Sequence, residues 1–423
     1  MDVIIAGGGI AGLSLALSLH QVGVRAGVYE QVPSIKPLGV GINVQPHAVR
    51  ELFELGLGDE LEQIGVRTRE VAYFSKKGGL IWGEPRGIHA GYRWPQFSVH
   101  RGKLQMMLYE AVRARLGDDC IVGGVSVTGY TQRGDVVDVH LRESDGRDRT
   151  ETATLLVAAD GIHSAIRRQM VPNEGPPQWG GAVLWRGTTV ATPTLSGATM
   201  AMAGHERQKF VTYPISKPDP ITGKSLINWI AELKYEPGAG WNREDWNRKG
   251  DFADFLPAFE DWRFDWLDCP ALMLEGGECY EYPMVDRDPL GNWTQGNVTL
   301  MGDAAHPMYP IGSNGASQAI IDARTLTRAI VDHGLTADAL HAYEAERRPA
   351  TTRIVEANRG NGPDQVMEIV EERCGGVFDD ISEILSREEL VDTAAAYKKI
   401  AGFDVETLNN RASIVDPAQS AHA

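Results

Sequence analysis

Val3-Ile4-Ile5-Ala6-Gly7-Gly8-Gly9-Ile10-Ala11-Gly12-Leu13-Ser14-Leu15 is the stretch on which the fold turns. Val3–Ala6 reads as a short buried strand. A glycine turn follows, then a helix over Ala11–Val22 with Leu13, Ala16, Leu17 and Leu19 at helical spacing, broken by Gly23. Each glycine of the GxGxxG turn has its own task. Gly7 permits the tight turn, Gly9 lets the backbone approach a pyrophosphate at the helix N-terminus beside Ala11, and Gly12 lets helix and strand pack closely. The pattern alone is common, but its setting is specific. Arg25–Glu30 reads as a second strand, and Glu30 ends it 18 residues after Gly12. A carboxylate there accepts ribose hydroxyls and repels a 2′-phosphate, so the tightly held dinucleotide is FAD or NAD rather than NADP.

Outward from this βαβ unit, residues 43–65 read as helical, and 70–98 as short strand pieces among Gly, Pro and aromatics. A helix is expected from Gly102 to Leu116, a hairpin or meander over Val125–Glu151, and a buried strand over Thr154–Ala159. The character changes over about 180–285. That segment carries Trp185, Trp229, Trp241, Trp246, Trp262 and Trp266, with alternating stretches at Phe210–Ile215 and Leu226–Glu232, and reads as a second sheet inserted into the first fold. Val298–Met301 returns to a buried strand, 316–333 to a helix, and 337–410 is mostly helical, with fraying expected beyond Asn410.

Three further motifs carry chemistry. Arg101 and Lys103 stand where a helix begins, a place that disfavours cations unless an anion is near; an exposed Arg is an equal reading. Asp160-Gly161 directly follows a buried strand, where ligands of α/β sheets bind. The sharpest is Gly302-Asp303-Ala304-Ala305-His306-Pro307-Met308-Tyr309-Pro310-Ile311-Gly312-Ser313-Asn314-Gly315. Here a strand ends at Gly-Asp, Pro307 and Pro310 hold the loop extended, and a Gly/Asn-rich turn opens a helix. Asp303 can accept a ribityl hydroxyl, and the helix N-terminus can direct N–H groups at a flavin pyrimidine.

Composition narrows the class. The net charge of −16 argues against nucleic acid or an anionic membrane as the main partner. Cys120, Cys269, Cys279 and Cys374 form no CxxC pair, so no disulfide framework and no metal site is expected, and a reducing cytoplasm fits. The chain enters its first strand directly, and no apolar run approaches membrane-spanning length.

Together these motifs resemble the group A flavoprotein monooxygenases of the salicylate- and hydroxybenzoate-hydroxylase type. The resemblance rests on GxGxxG with Glu30, Asp160-Gly161, and Gly302-Asp303 with Ala-Ala-His-Pro, in that order. Arg101, Gly39-Val40-Gly41-Ile42 and Tyr343 through Arg347-Arg348-Pro349 also match. It covers roughly residues 1–350, and the His306–Gln318 stretch is most similar to the phenazine-modifying hydroxylases. One departure is Ser313-Asn314, where many relatives have Gln; Asn is expected to tolerate the turn conformation.

The resemblance implies an α/β fold: a Rossmann-like FAD-binding domain (1–70, 99–179 and 286–350), an inserted mixed β-sheet substrate domain (71–98 and 180–285), and a C-terminal helical segment (351–423). It also implies FAD as cofactor, NADH or NADPH as transient co-substrate, and hydroxylation of an aromatic or N-heteroaromatic substrate by a flavin C4a-hydroperoxide, with or without decarboxylation. No second Rossmann fingerprint is visible for the nicotinamide.

The cofactor-binding candidates are Gly7, Gly9, Ala11, Gly12, Glu30, Gly39, Val40, Gly41, Arg101, Asp160, Asp303, Pro310, Gly312, Asn314 and Gly315, with Arg167 a candidate for the pyrophosphates or the reductant. Trp185, Tyr213, Trp229 and Met308 are substrate candidates, although core packing is the commoner fate of a single aromatic. His306 and Pro307 are catalytic candidates, His306 as acceptor of a phenol proton; a structural hydrogen bond serves His306 equally well. Arg186 can pair with a substrate carboxylate, against the commoner surface ion pair. The expected partners are a small aromatic substrate and O2, in a monomer or homodimer. The competing readings are an FAD oxidase or reductase that inserts no oxygen, a non-enzymatic flavin-binding protein, and an NAD dehydrogenase, which has no use for the Asp303 loop.

Overall fold

A computed structural model describes residues 1–236, 248–416 and 418. Trp241 and Trp246 lie outside the described residues. The strands Val3–Ala6, Leu155–Ala158 and Val298–Leu300 are buried at every position, as strands of a parallel sheet covered on both faces must be. They belong to a six-stranded sheet in the order Thr294–Gln295, Val298–Leu300, Leu155–Ala158, Val3–Ala6, Ala26–Glu30, Ile121–Gly123; only the first, an edge strand, is antiparallel. The helices Ile10–Gln21, Arg101–Leu116 and Gly315–His333 pack with it. The meander Val125–Arg133, Val136–Glu143, Asp148–Ala153 forms as expected.

The second sheet has seven strands: Cys279–Asp286, Gln178–Ala191, Ser225–Lys234, Gln208–Pro214, Thr199–His205, Glu70–Phe74 and Leu80–Pro85. All pairs are antiparallel except Thr199–His205 with Glu70–Phe74, so the sheet is mixed. The α/β class with an inserted mixed sheet and C-terminal helices is therefore the observed architecture. Register divides the side chains of this sheet into two faces. Arg186, Ile230, Val211, Met202 and Tyr73 follow one another across one face, and Asn228 and Tyr213 form a neighbouring pair on it. Val183, Trp185, Phe210, Trp229 and Ala231 lie on the other face, in a core with Phe255, Phe259 and Met273.

Two expectations are corrected. Residues 43–65 are not one helix: Gly41–Val44 is a strand, followed by Pro46–Glu54 and Gly58–Ile64. Pro46 starts the first helix, and Gly56, at φ +70°, separates the two. Nor does order end at Asn410. Arg411 donates to Glu51 Oε1 at 3.2 Å, its carbonyl accepts from Arg50 at 2.8 Å, and Ile414 and Val415 are buried.

Candidate active site

The glycine turn is built as a cradle. Gly7 has φ +105°, and a Cβ there would lie 2.4 Å from the Ala159 carbonyl oxygen; a Cβ on Gly12 would lie 2.0 Å from the Gly7 carbonyl oxygen. Gly9, at the N-cap of the Ile10–Gln21 helix, differs: a Cβ there would meet nothing within 4 Å. No side chain caps this helix, and its first turn has no acidic residue. Its free N–H groups and positive dipole end thus face open space, the arrangement that takes a phosphate. Glu30 flanks the turn, accepting from the backbone N–H of Gly8 at 2.7 Å and of Val32 at 2.9 Å, which fixes the carboxylate. Gln105, which the motifs did not single out, donates to the Gly8 carbonyl at 2.8 Å.

Asp160 follows the carbonyl that Gly7 must clear. One of its oxygens accepts from Ala165 N at 2.9 Å, and the other, buried, has no partner. Burial pushes its carboxyl up, against the hydrogen bonds that hold it down. Arg101 is exposed and is the first residue of its helix; its side chain runs beside Gly39, and its N–H donates to the Val40 carbonyl at 2.9 Å. Gly302, at φ +58°, packs against Ala11, where a Cβ would lie 3.0 Å from the alanine methyl. This contact brings Asp303 to the same cleft. Asp303 is exposed to the cleft, although protein surrounds it elsewhere, and that burial raises its carboxyl against the lowering effect of His306 and Arg101.

Behind the Gly-Asp turn lies a buried polar network. Asp322 accepts from Gly302 N at 3.1 Å, His306 Nε2 at 2.6 Å and Arg347 Nε at 2.7 Å. Burial alone would raise its carboxyl, but His306 and Arg347 hold it at about 2. His306 is thus a buried brace of the loop and is not placed to take a proton from substrate. Arg167 is also a brace: it is 1% exposed, donates to the Ala304 and Ala305 carbonyls at 2.9 and 2.8 Å, and pairs with Glu174. It has no guanidinium edge left for a pyrophosphate or a reductant.

The loop beyond His306 divides its side chains. Pro307 is buried and Pro310 exposed. Tyr309 and Ile311 pack on Ala182, Leu184 and Met284 of the seven-stranded sheet. Met308, expected at the substrate, packs instead with Tyr92, Ile354, Tyr397 and Phe403. At the next turn Gly312 has φ +71° and Ser313 φ +53°. The left-handed residue is therefore Ser313 rather than Asn314, which is buried at φ −107° and donates to the Tyr397 hydroxyl at 3.2 Å. Gly315 starts a helix whose first turn has no side-chain cap and no acid, a second free positive end.

Gly39-Val40-Gly41 joins the two sheets. Gly41 N donates to Asn228 Oδ1 at 2.7 Å, and Arg186 donates to the Gly41 carbonyl at 2.7 Å. A Cβ on Gly41 would lie 2.7 Å from Asn228 and from the Tyr213 ring. Arg186 is therefore a clamp on this loop, lying 5.9 Å from the Tyr282 ring centre, and not a surface ion pair. Its Nε and the Asn228 amide nitrogen are buried without partners. Of the aromatic substrate candidates, Tyr213 is on the face that meets this loop. Trp185 and Trp229 are on the opposite face, where Trp185 stacks on Phe255 at 4.9 Å and Trp229 donates to Thr189 at 3.1 Å; they are core. Asn228 was missed because nothing marks an amide between Ile227 and Trp229 as functional.

This cleft fits FAD. The open space at Gly9, the unpartnered oxygen of Asp160, the exposed Arg101 and Asp303, and two uncapped helix N-termini match a pyrophosphate, a ribityl chain and a flavin ring in turn. The FAD binding domain family matches residues 1–217 and 285–358. The chain belongs to this family. It is 45% identical over 362 residues to the phenazine 1,6-dicarboxylic acid hydroxylase PhzS of Lysobacter antibioticus, covering 85% of this chain and 89% of that one. It is 28% identical to the 6-hydroxynicotinate 3-monooxygenase of Bordetella bronchiseptica, covering 85% and 91%. Klebsiella pneumoniae HpxO, solved with FAD and uric acid, superposes with a TM-score of 0.68 at 22% identity, covering 100% and 98%. This FAD binding domain protein is an FAD-dependent aromatic monooxygenase, and the reading as an oxidase or reductase without oxygen insertion is set aside.

Proposed function

We propose that the protein hydroxylates a carboxylated N-heteroaromatic compound, with NADH or NADPH as electron donor and O2 as oxidant, with or without loss of the carboxyl group. The observation that carries this is the junction of Gly41 with the inserted sheet, where the Tyr213 ring meets the loop and the buried Arg186 Nε and Asn228 Nδ2 have no partner, an aromatic wall with a few convergent polar groups of the kind that takes a flat ring. The relatives named above act on a phenazine dicarboxylic acid and on 6-hydroxynicotinate, both N-heteroaromatic acids.

When bound, FAD supplies the electron transfer and oxygen activation that side chains lack. The chain positions it and excludes water. Asp303 and Glu30 accept hydroxyls, and the free N-terminus at Gly315 favours negative charge near the pyrimidine. Tyr213 donates hydrogen bonds rather than taking protons, because burial pushes its hydroxyl up to about 12 against the pull of Arg186. Four free cysteines agree with a reducing cytoplasm, and we expect a monomer or homodimer.

The test is NAD(P)H oxidation by FAD-loaded protein with a panel of phenolic and N-heteroaromatic acids, reading product masses in parallel. One compound should accelerate oxidation and gain one oxygen atom. Oxidation that yields only hydrogen peroxide across the panel, including phenazine carboxylic acids, would refute this substrate class.

A further inference from the structure

Gly41 is gripped from both sides by the inserted sheet. Its N–H donates to Asn228 Oδ1 at 2.7 Å, and its carbonyl accepts from Arg186 Nη2 at 2.7 Å. Arg186 and Asn228 stand on the adjacent strands Gln178–Ala191 and Ser225–Lys234. They share a face, because Arg186 pairs with Ile230, two residues from Asn228. Each keeps one buried donor without a partner, Arg186 Nε and Asn228 Nδ2. The bond from the Gly41 N–H fixes which end of the Asn228 amide is oxygen, so the free end is the NH2. Buried polar groups left unmet cost about 1–3 kcal/mol each, and more when charged. Two such donors, held on one residue, mark a place for an acceptor.

Charge decides which acceptor. The buried arginines are paired: Arg50 with Glu54, Arg167 with Glu174, Arg324 with Glu51 and Arg347 with Asp322. Arg186 pairs with no carboxylate among the described residues. Burial works against its charge and so does Arg101, while the Tyr213 and Tyr282 hydroxyls support it. A guanidinium stays protonated at neutral pH, so the junction holds a positive charge that the chain leaves unbalanced. Two free donors and one charge match the two oxygens and one charge of a carboxylate. Arg186 is only partly buried, and Gly39, two residues before Gly41, is exposed, so the junction is approached from the side of this loop.

Resting on the substrate reading above, we infer that Arg186 and Asn228 are the receptor for a carboxylate of the aromatic substrate, one oxygen on Arg186 Nε and the other on Asn228 Nδ2. Tyr213 pairs directly with Asn228 across the sheet, and its ring meets the same glycine, so neighbouring side chains on one face take the acid and the ring. The pair determines specificity. An uncharged analogue leaves both donors unmet and the guanidinium unbalanced, which is the strongest ground on which a site rejects a ligand. An aspartate in place of Asn228 would supply the missing carboxylate from the chain itself and close the receptor.

The test uses FAD-loaded full-length protein titrated with phenazine-1,6-dicarboxylate and with unsubstituted phenazine, followed by the flavin absorbance change. The unaltered protein should prefer the diacid. Arg186→Gln should weaken the diacid about ten- to a hundredfold, the range for a hydrogen bond to a charged group, and leave phenazine binding as it was. Asn228→Asp keeps an oxygen for the Gly41 N–H and sets a carboxylate beside Arg186. It should abolish the preference at least as fully, and serves if Arg186→Gln fails to fold. Equal losses for both ligands, or an unchanged preference in either folded variant, would overturn the receptor while leaving the substrate class standing. A fall in FAD affinity with the preference unchanged would assign the two donors to the flavin and overturn it likewise. If the unaltered protein binds phenazine as tightly as the diacid, the carboxylated substrate class and the receptor fail together.

Discussion

Tyr397 occupies the space that a side chain on Gly312 would need: a Cβ at residue 312 would lie 2.0 Å from the Tyr397 hydroxyl oxygen. The same hydroxyl receives Asn314 Nδ2 at 3.2 Å and donates to Asn358 Oδ1 at 2.9 Å. The C-terminal helix thus holds the turn that opens the Gly315–His333 helix, and with it an uncapped helix N-terminus.

Gly312→Ala meets both a left-handed backbone and this hydroxyl. It should cost at least about 2 kcal/mol and lower FAD retention. Tyr397→Phe should cost about 1 kcal/mol and keep FAD. Urea unfolding and flavin content after gel filtration check both, and equal behaviour of the two variants would disprove the steric account.

Gly9 and Gly12 should separate binding from folding. Gly9→Ala adds a methyl to open space, so the flavin-free protein should melt as before while FAD affinity falls. Gly12→Ala pushes on the Gly7 carbonyl and should destabilise the flavin-free protein itself. Melting curves with and without FAD distinguish them; a Gly9→Ala protein that melts early without FAD would show that the glycine is structural.

Asp322→Asn removes the charge that His306 and Arg347 share. Leaving the buried Arg347 cation uncompensated costs about 3–5 kcal/mol, readable by denaturant unfolding. The pH dependence has a fixed sign. The folded carboxyl is held at about 2, below its ordinary 3.8, so its stabilisation is present above the ordinary value. It is lost as pH falls from there through the folded value. The stability difference between the unaltered protein and Asp322→Asn should shrink across that window.

His47 titrates in a higher window. It is buried, stacked on Phe403 at 5.0 Å, with Nε2 at 3.2 Å from the Gln318 amide nitrogen, and is therefore a neutral acceptor there. Burial, helped by Arg411 and Arg347, depresses its protonation from 6.5 to about 3. Folding then favours the neutral ring, so stability is full above 6.5 and declines as pH falls toward 3. His47→Gln should flatten stability across that range; an unchanged slope would show that His47 is not its source.

The chain's own order of residues determined the FAD-binding half of this protein. Gly7, Gly9 and Gly12 act within one turn, Glu30 ends the adjacent strand, and Gly302-Asp303 follows a strand buried throughout. These are local backbone requirements, and such requirements are legible in sequence. Tertiary structure alone decided the rest. Trp185 and Trp229 looked as fit for substrate as Tyr213, because alternation sorts a strand into two faces without naming the one that meets the Gly41 loop, and both faces of this sheet are covered. His306 was legible as a residue near the site, but Asp322, which makes it a brace, sits on the next helix. Asn228 reaches Gly41 across 187 positions, and Tyr397 reaches Gly312 from a segment with no motif. Contacts so distant along the chain depend on how whole elements pack, which no short pattern of residues encodes.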